Sequence, residues 1–134
     1  MTMFLRAGLR TALAGLVLAA WAVPLGAHHS FDAMYDRATS QVMKGAVTKV
    51  EWTNPHARFY VDVKDERGRV TNWNMELGSP NGLRRAGWNR NSLKVGDVVS
   101  VTVSLARDGS RLANAREVVL ADGKKVFAAT AGAN

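Results

Sequence analysis

The sequence contains no cysteine. That excludes disulfides, thiolate metal sites, a Cys–His nucleophile and lipid attachment through a cysteine. Histidine is scarce: His28, His29 and His56 are the only three, so any imidazole chemistry must draw on them. No G-x-S-x-G elbow is present for a serine nucleophile. No GKS or GKT follows the glycines of NGLRRAG (81–87), which excludes a phosphate-binding loop. Acidic residues are outnumbered, 11 against 18 Lys and Arg, for a net charge of +7. Such a balance in a small β-barrel would suggest nucleic acid. The basic residues are scattered, however, with Arg84-Arg85 and Lys124-Lys125 the only adjacent pairs. They read as a solvated surface facing an anionic lipid or glycan, and nucleic acid is not expected.

A long apolar run is also missing. The uncharged stretch from Thr11 to Val23 falls short of the roughly 20 residues of a membrane span. It follows Arg6 and Arg10, the only charges before it, and leads into Pro24, Leu25, Gly26 and Ala27. This is the layout of a signal peptide, with cleavage expected after Ala27, and a retained anchor is the alternative. There is no paired arginine for the twin-arginine route. The expected mature chain is a single domain, residues 28–134, that is periplasmic or secreted, with no membrane span after cleavage. Its net charge falls from +7 to +5 with the loss of the two arginines. A chain of this size buries roughly two-thirds of its unfolded surface, enough for one core without covalent staples.

Within that chain, residues 28–39 read as a leader and 128–134 as a frayed tail. Between them the pattern is mostly strand. QVMKGAVTKVEW (41–52) is valine-rich and broken by Gly45, which suggests a bulge in a bent strand. TNPH (53–56) is a turn. ARFYVDVK (57–64) and VTNWNMEL (70–77) alternate, with Phe59, Val61, Val63, Trp73, Met75 and Leu77 facing inward. Ser79 is placed to cap a short helix opened by Pro80. A turn at Gly96-Asp97 then leads to a strand carrying Val99, Val101, Val103 and Leu105. RLANAREVVL (111–120) supplies the fifth strand, and DG (122–123) makes a small final hairpin with KKVF. The order predicts an all-β fold, a five-stranded OB-like barrel with a short helix between strands 3 and 4. A small open β-sandwich or another β-barrel is the alternative. Phe31, Met34 and Tyr35 are expected to plug an open barrel end, with Asp32 and Asp36 facing water.

The candidate site starts from GAHHSFDAMYD (26–36). Cleavage after Ala27 would give His28 a free α-amine beside its own imidazole, a nitrogen chelate suited to Cu(II). His56 would add a third nitrogen and His29 would assist. Asp32, Asp36 and Glu51 are further oxygen donors, and Met34 a thioether. This set resembles the histidine brace of lytic polysaccharide monooxygenases and of some periplasmic copper carriers, though not their immunoglobulin-like folds. The plainer reading makes the leader histidines a polar tether and His56 a turn residue. A second candidate surface is aromatic and basic: Trp52, Arg58 and Tyr60 stand where OB barrels bind ligands. Trp73 reads as core, and Trp88, on the weak helix, as a cap on the barrel bottom. Carboxylates such as Glu51 and Glu76 read as surface charges that cross-strand pairing brings near each other.

The segments HHSFDAMYD, VTKVEWTNPHARFYVDVKD and NWNMELGSPNGLRRAGWNRNSLKVGDVV resemble an uncharacterised family of small secreted bacterial proteins. The similarity spans nearly the whole mature chain, with HHSF and EWTNPH its most specific marks. It implies export and a single domain, and it supplies no activity or ligand residues. The expectation is therefore an exported, non-enzymatic binding protein holding copper through His28, His29 and His56. One alternative is a metal-free module for an envelope protein, glycan or anionic surface, and another is a copper redox enzyme.

Overall fold

The computed structural model describes residues 31–127. The expected signal peptide, His28, His29 and the tail 128–134 lie outside the described residues. The chain runs β1 (Gln41–Glu51), β2 (Arg58–Lys64), β3 (Val70–Glu76), α1 (Pro80–Arg85), β4 (Val98–Leu105), β5 (Leu112–Leu120) and β6 (Lys125–Phe127). Strands lie in the order β3-β2-β1-β4-β5-β6, and a parallel pairing of β3 with β5 closes the first five into a barrel. The OB-like expectation is met, including the helix between β3 and β4.

β1 serves two partners. Its first half, Gln41 to Ala46, pairs with β4, while Gly45 to Glu51 pairs with β2. Gly45 therefore lies in both ladders, opposite Val63 and Val99. A Cβ there would sit 2.1 Å from the Asp62 carbonyl oxygen, a distance that only glycine avoids. The expected bulge at Gly45 is not found. The register shift lies between Val47 and Lys49, with Thr48 as the extra residue. Gly45 answers to a close backbone approach instead, the other meaning of glycine inside a strand.

The bulge has a packing consequence. Met43 and Val47 point inward before it, and Val50 packs against the core after it. A second shift in β5, opposite Thr102 and Val103, leaves Arg116 as the extra residue and lets both Ala115 and Val118 face in. The interior is filled by Phe59, Val61, Met75, Val99, Val101 and Val103, all at most 1 % exposed.

Leu83, Trp88 and Leu93 join that core from the β3–β4 connection. Ser79 caps α1 by accepting a hydrogen bond from the Gly82 amide, with Pro80 in the first turn. Two bonds end the helix, Gly87 N–H to the Arg84 carbonyl and Trp88 N–H to the Leu83 carbonyl. With Gly87 at φ +90°, this is a Schellman motif, and Leu83 and Trp88 supply its apolar contact.

Residues 31–36 depart from expectation. Phe31 and Tyr35 are buried but stand outside the barrel core, and Met34 is exposed. The segment is tied to the end of β4 and the turn after it. Tyr35 bridges Ala106, the Asp36 amide donates to the Leu105 carbonyl, and the Arg107 amide donates to the Met34 carbonyl. Instead of plugging the barrel end, it lies as a strap on the outside of the wall. The aspartates do face water or half-face it. Among the described residues, no helix is long and apolar enough to cross a membrane.

Because the obstacle at Gly45 is backbone, Gly45→Ala is expected to destabilise the protein by about 3 kcal/mol, the upper part of the overpacking range. Urea unfolding measures this directly. An unchanged midpoint would show that β1 and β2 can separate without cost.

Candidate functional site

Strand register explains how the polar groups come together. Phe59, Val61, Met75 and Trp73 face the core, so their neighbours Arg58, Tyr60, Asn74 and Glu76 face outward. Pairing then lines up one outer row across the wall: Ser104 on β4, Asn114 on β5, Glu76 on β3, Arg58 on β2 and Glu51 on β1. Ordinarily such a row is solvated. Here Ser104, Asn114 and Glu76 are each at most 3 % exposed, and Tyr35 of the strap lies beside Glu76.

Glu76 organises the cluster. One carboxylate oxygen lies 3.0 Å from His56 Nδ1 and the other accepts from Arg58 Nη2 at 2.9 Å. A buried carboxylate needs such partners, since its desolvation is otherwise severe. His56 sits on the β1–β2 loop, which is pinned to the end of β3 by the Ala57 amide on the Gly78 carbonyl and the Leu77 amide on the Ala57 carbonyl. In a neutral ring, a proton on Nδ1 directed at Glu76 leaves the Nε2 lone pair for another partner. The His56 side chain is 36 % exposed, so that lone pair is not sealed away.

Two buried atoms beside Glu76 lack partners, the Tyr35 hydroxyl and Asn114 Oδ1. Asn114 does donate through Nδ2 to the Glu76 carbonyl at 3.4 Å. Tyr35 lies close enough to Glu76 for the carboxylate to act on it, although no well-formed hydrogen bond joins them. Burial, and after it the Glu76 charge, holds the phenol proton far above the ordinary tyrosine range, with Arg58 opposing.

Tyr60 lies on the outer face as well, and its hydroxyl donates to Glu51 Oε2 at 3.1 Å. Lys49 stands 5.2 Å from the Tyr60 ring centre and bonds Glu51. The Lys49 bond, reinforced by Tyr60, holds the Glu51 carboxyl below its usual range. Glu51 and Glu76 do not form a carboxylate pair, because Arg58 stands between them in the register. Trp52 is half-buried against the core and also lines a surface cleft. Asp32 pairs with Arg37, and Asp36 with Arg107 at 3.6 Å. Among the described residues no group of three or more His, Asp or Glu side chains converges as for a metal ion. Arg58 is thus brought to His56 through Glu76, while Tyr60 belongs to a separate Lys49–Glu51 group.

Asn114 left no sign in the sequence, and Glu76 read there as a surface charge. Alternation alone puts both on the outside, and nothing local says that a strap some 40 residues earlier lies beside Glu76. One signal was present. Asn74, Glu76 and Asn114 are polar positions in strands that pair side by side, a grouping that becomes visible once β3–β5 closure is drawn.

A family of unknown function, DUF6152, has a model that matches residues 14–115. The chain belongs to this family. No curated protein and no solved structure matches the sequence.

Tyr35 gives a pH test. Below about pH 10 both folded and unfolded chains keep the phenol proton, so it contributes no pH dependence. Above that pH only the unfolded chain releases it. Stability is therefore expected to fall by up to about 1.4 kcal/mol per pH unit from this group. Tyr35→Phe keeps the ring, removes the unpaired hydroxyl and should raise stability at pH 7 by about 1 kcal/mol. The variant should also lose most of the alkaline slope in thermal melts at pH 9 to 11. An unaltered slope would place the alkaline weakness elsewhere.

Proposed function

We propose that the protein is an exported, non-enzymatic binding protein that holds a metal ion such as Cu(II) through His56. One observation carries this reading, the buried Glu76 carboxylate directed at His56 Nδ1. Metal-ligating histidines characteristically give their second nitrogen to a carboxylate, which fixes the tautomer and strengthens the ligand. Arg58 holds that carboxylate from its other side, so the ring is oriented before any metal arrives. The remaining ligands of the proposal are His28, made bidentate by signal cleavage, and His29. Both enter on sequence grounds alone.

The competing reading is a metal-free module that binds a protein, glycan or anionic surface through its barrel face. It has in its favour the half-buried Trp52 beside arginines.

Titrating the secreted protein with Cu(II), after sequencing its N-terminus, separates the two. Paramagnetic resonance should show nitrogen coupling that loses one nitrogen in His56→Ala. Glu76→Gln should weaken binding roughly 10- to 100-fold, the usual effect of removing such a support. Identical spectra for wild type and His56→Ala would favour the metal-free module, as would the absence of binding tighter than micromolar.

A further inference from the structure

A cleft of about 300 Å³ opens between the β1–β2 loop and the α1 region. The loop contributes Trp52, Thr53 and Asn54 to one wall, and the helix and the chain after it contribute Arg84, Asn89 and Arg90. The cleft shares no side chain with the His56–Glu76 pair, although the same loop carries His56.

Charge comes first. Two guanidinium groups line the cleft and no carboxylate does. Arg84 is held by Asn81 Oδ1 at 3.1 Å and, more weakly, by the Pro80 carbonyl at 3.4 Å. Its charge is thereby positioned without being neutralised. Arg90 makes no hydrogen bond or ion pair among the described residues. By contrast, Arg37, Arg58, Arg69 and Arg107 each face an acid. The cleft therefore brings two guanidinium groups that face no acid to one place, and the fork of a guanidinium fits carboxylate or phosphate.

The remaining walls say what should accompany the anion. Trp52 packs partly on the core, which fixes its ring, and the rest of it forms part of the cleft surface. Asn89 Oδ1 is already engaged by the Asn91 amide at 2.8 Å, so its NH₂ group is left to donate. Thr53 and Asn54 make no side-chain hydrogen bonds among the described residues, and they add acceptors as well as donors. A fixed aromatic face, unengaged amides and a hydroxyl suit a ring that carries several hydroxyl groups. The volume stands at the small end for ligand sites, which favours one ring over the base, sugar and phosphate of a nucleotide.

We infer that this cleft binds a single sugar ring bearing a carboxylate or phosphate, either as a free sugar or as a unit of an acidic glycan. The ring lies against Trp52, the anionic group meets Arg90 and Arg84, and the amides of Asn54 and Asn89 take hydroxyls.

The test is a titration of the isotope-labelled protein followed by amide shifts, with galacturonate, glucose 6-phosphate, galactose, inorganic phosphate and a galacturonate trimer as probes. Saturable shifts confined to residues 52–54 and 84–90 are expected with the two acidic sugars and not with galactose. Arg90→Ala, an exposed position, and Trp52→Ala should each weaken binding at least about tenfold, the loss of one good contact. Tighter binding of the trimer than of the monomer would assign the natural ligand to a glycan chain, and equal binding would assign it to the free sugar. Three results would overturn the inference: galactose binding as well as galacturonate, phosphate alone matching glucose 6-phosphate, or Arg90→Ala binding like wild type. Affinity weaker than about 10 mM for both acidic sugars would overturn it too.

Discussion

β1 must hydrogen-bond to β4 with one half of its length and to β2 with the other, and at Gly45 it does both. A strand can turn between two sheets only if its backbone comes close to its neighbours there, and the Asp62 carbonyl occupies the place a side chain would need. The rest of the barrel depends on that crossing. β2 carries β3 round, β4 carries β5 round, and the two flanks meet in the short parallel pairing of Asn74 to Glu76 with Leu112 to Asn114. Closure in turn sets Glu76 beside Asn114. The polar cluster on the outer wall is thus a product of the barrel's geometry.

That wall satisfies most of its charges internally. Glu51 is held by Lys49 and Tyr60, Glu76 by Arg58 and His56, and Asp62 accepts from Asn72. Two places beside the wall keep polar groups available. His56 keeps one ring nitrogen uncommitted, and the cleft beside Trp52 keeps the Arg90 guanidinium and several amides. The protein's family, DUF6152, carries no assigned activity, so these uncommitted groups are the firmest physical guide to its role.

The barrel was legible from the sequence because its determinants are local. Alternation in ARFYVDVK and VTNWNMEL, the Ser79-Pro80 helix start and the glycine turns each act within a few residues. Gly45 was read as special, but its reason was not legible: a bulge and a backbone crossing leave the same mark in a sequence. The strap was misread for a different cause. Phe31 and Tyr35 announce burial, yet which surface buries them depends on contacts with residues 105–107, far along the chain. The site shared that difficulty. His56 stood out by rarity, whereas Glu76 looked like any outward acid until the strap and the β3–β5 contact came beside it.

The bulge at Thr48 has a further consequence. β1 carries two independent programmes, an inward apolar one and an outward charged one, and the bulge keeps them in phase. Before it, odd-numbered residues face the core; after it, even-numbered Val50 does. The extra residue is also put to use, with its hydroxyl bonded to Asn72 at 3.0 Å and to the Tyr60 carbonyl at 3.4 Å. A regular ladder running through Thr48 would turn Val50 to solvent and Lys49 and Glu51 toward the core, because strand faces exchange with every single-residue slip. Removal of Thr48 itself would leave Lys49 opposite Tyr60 and Val50 opposite Phe59. The faces of β1 therefore survive loss of the bulged residue, but not loss of the bulge with the residue kept.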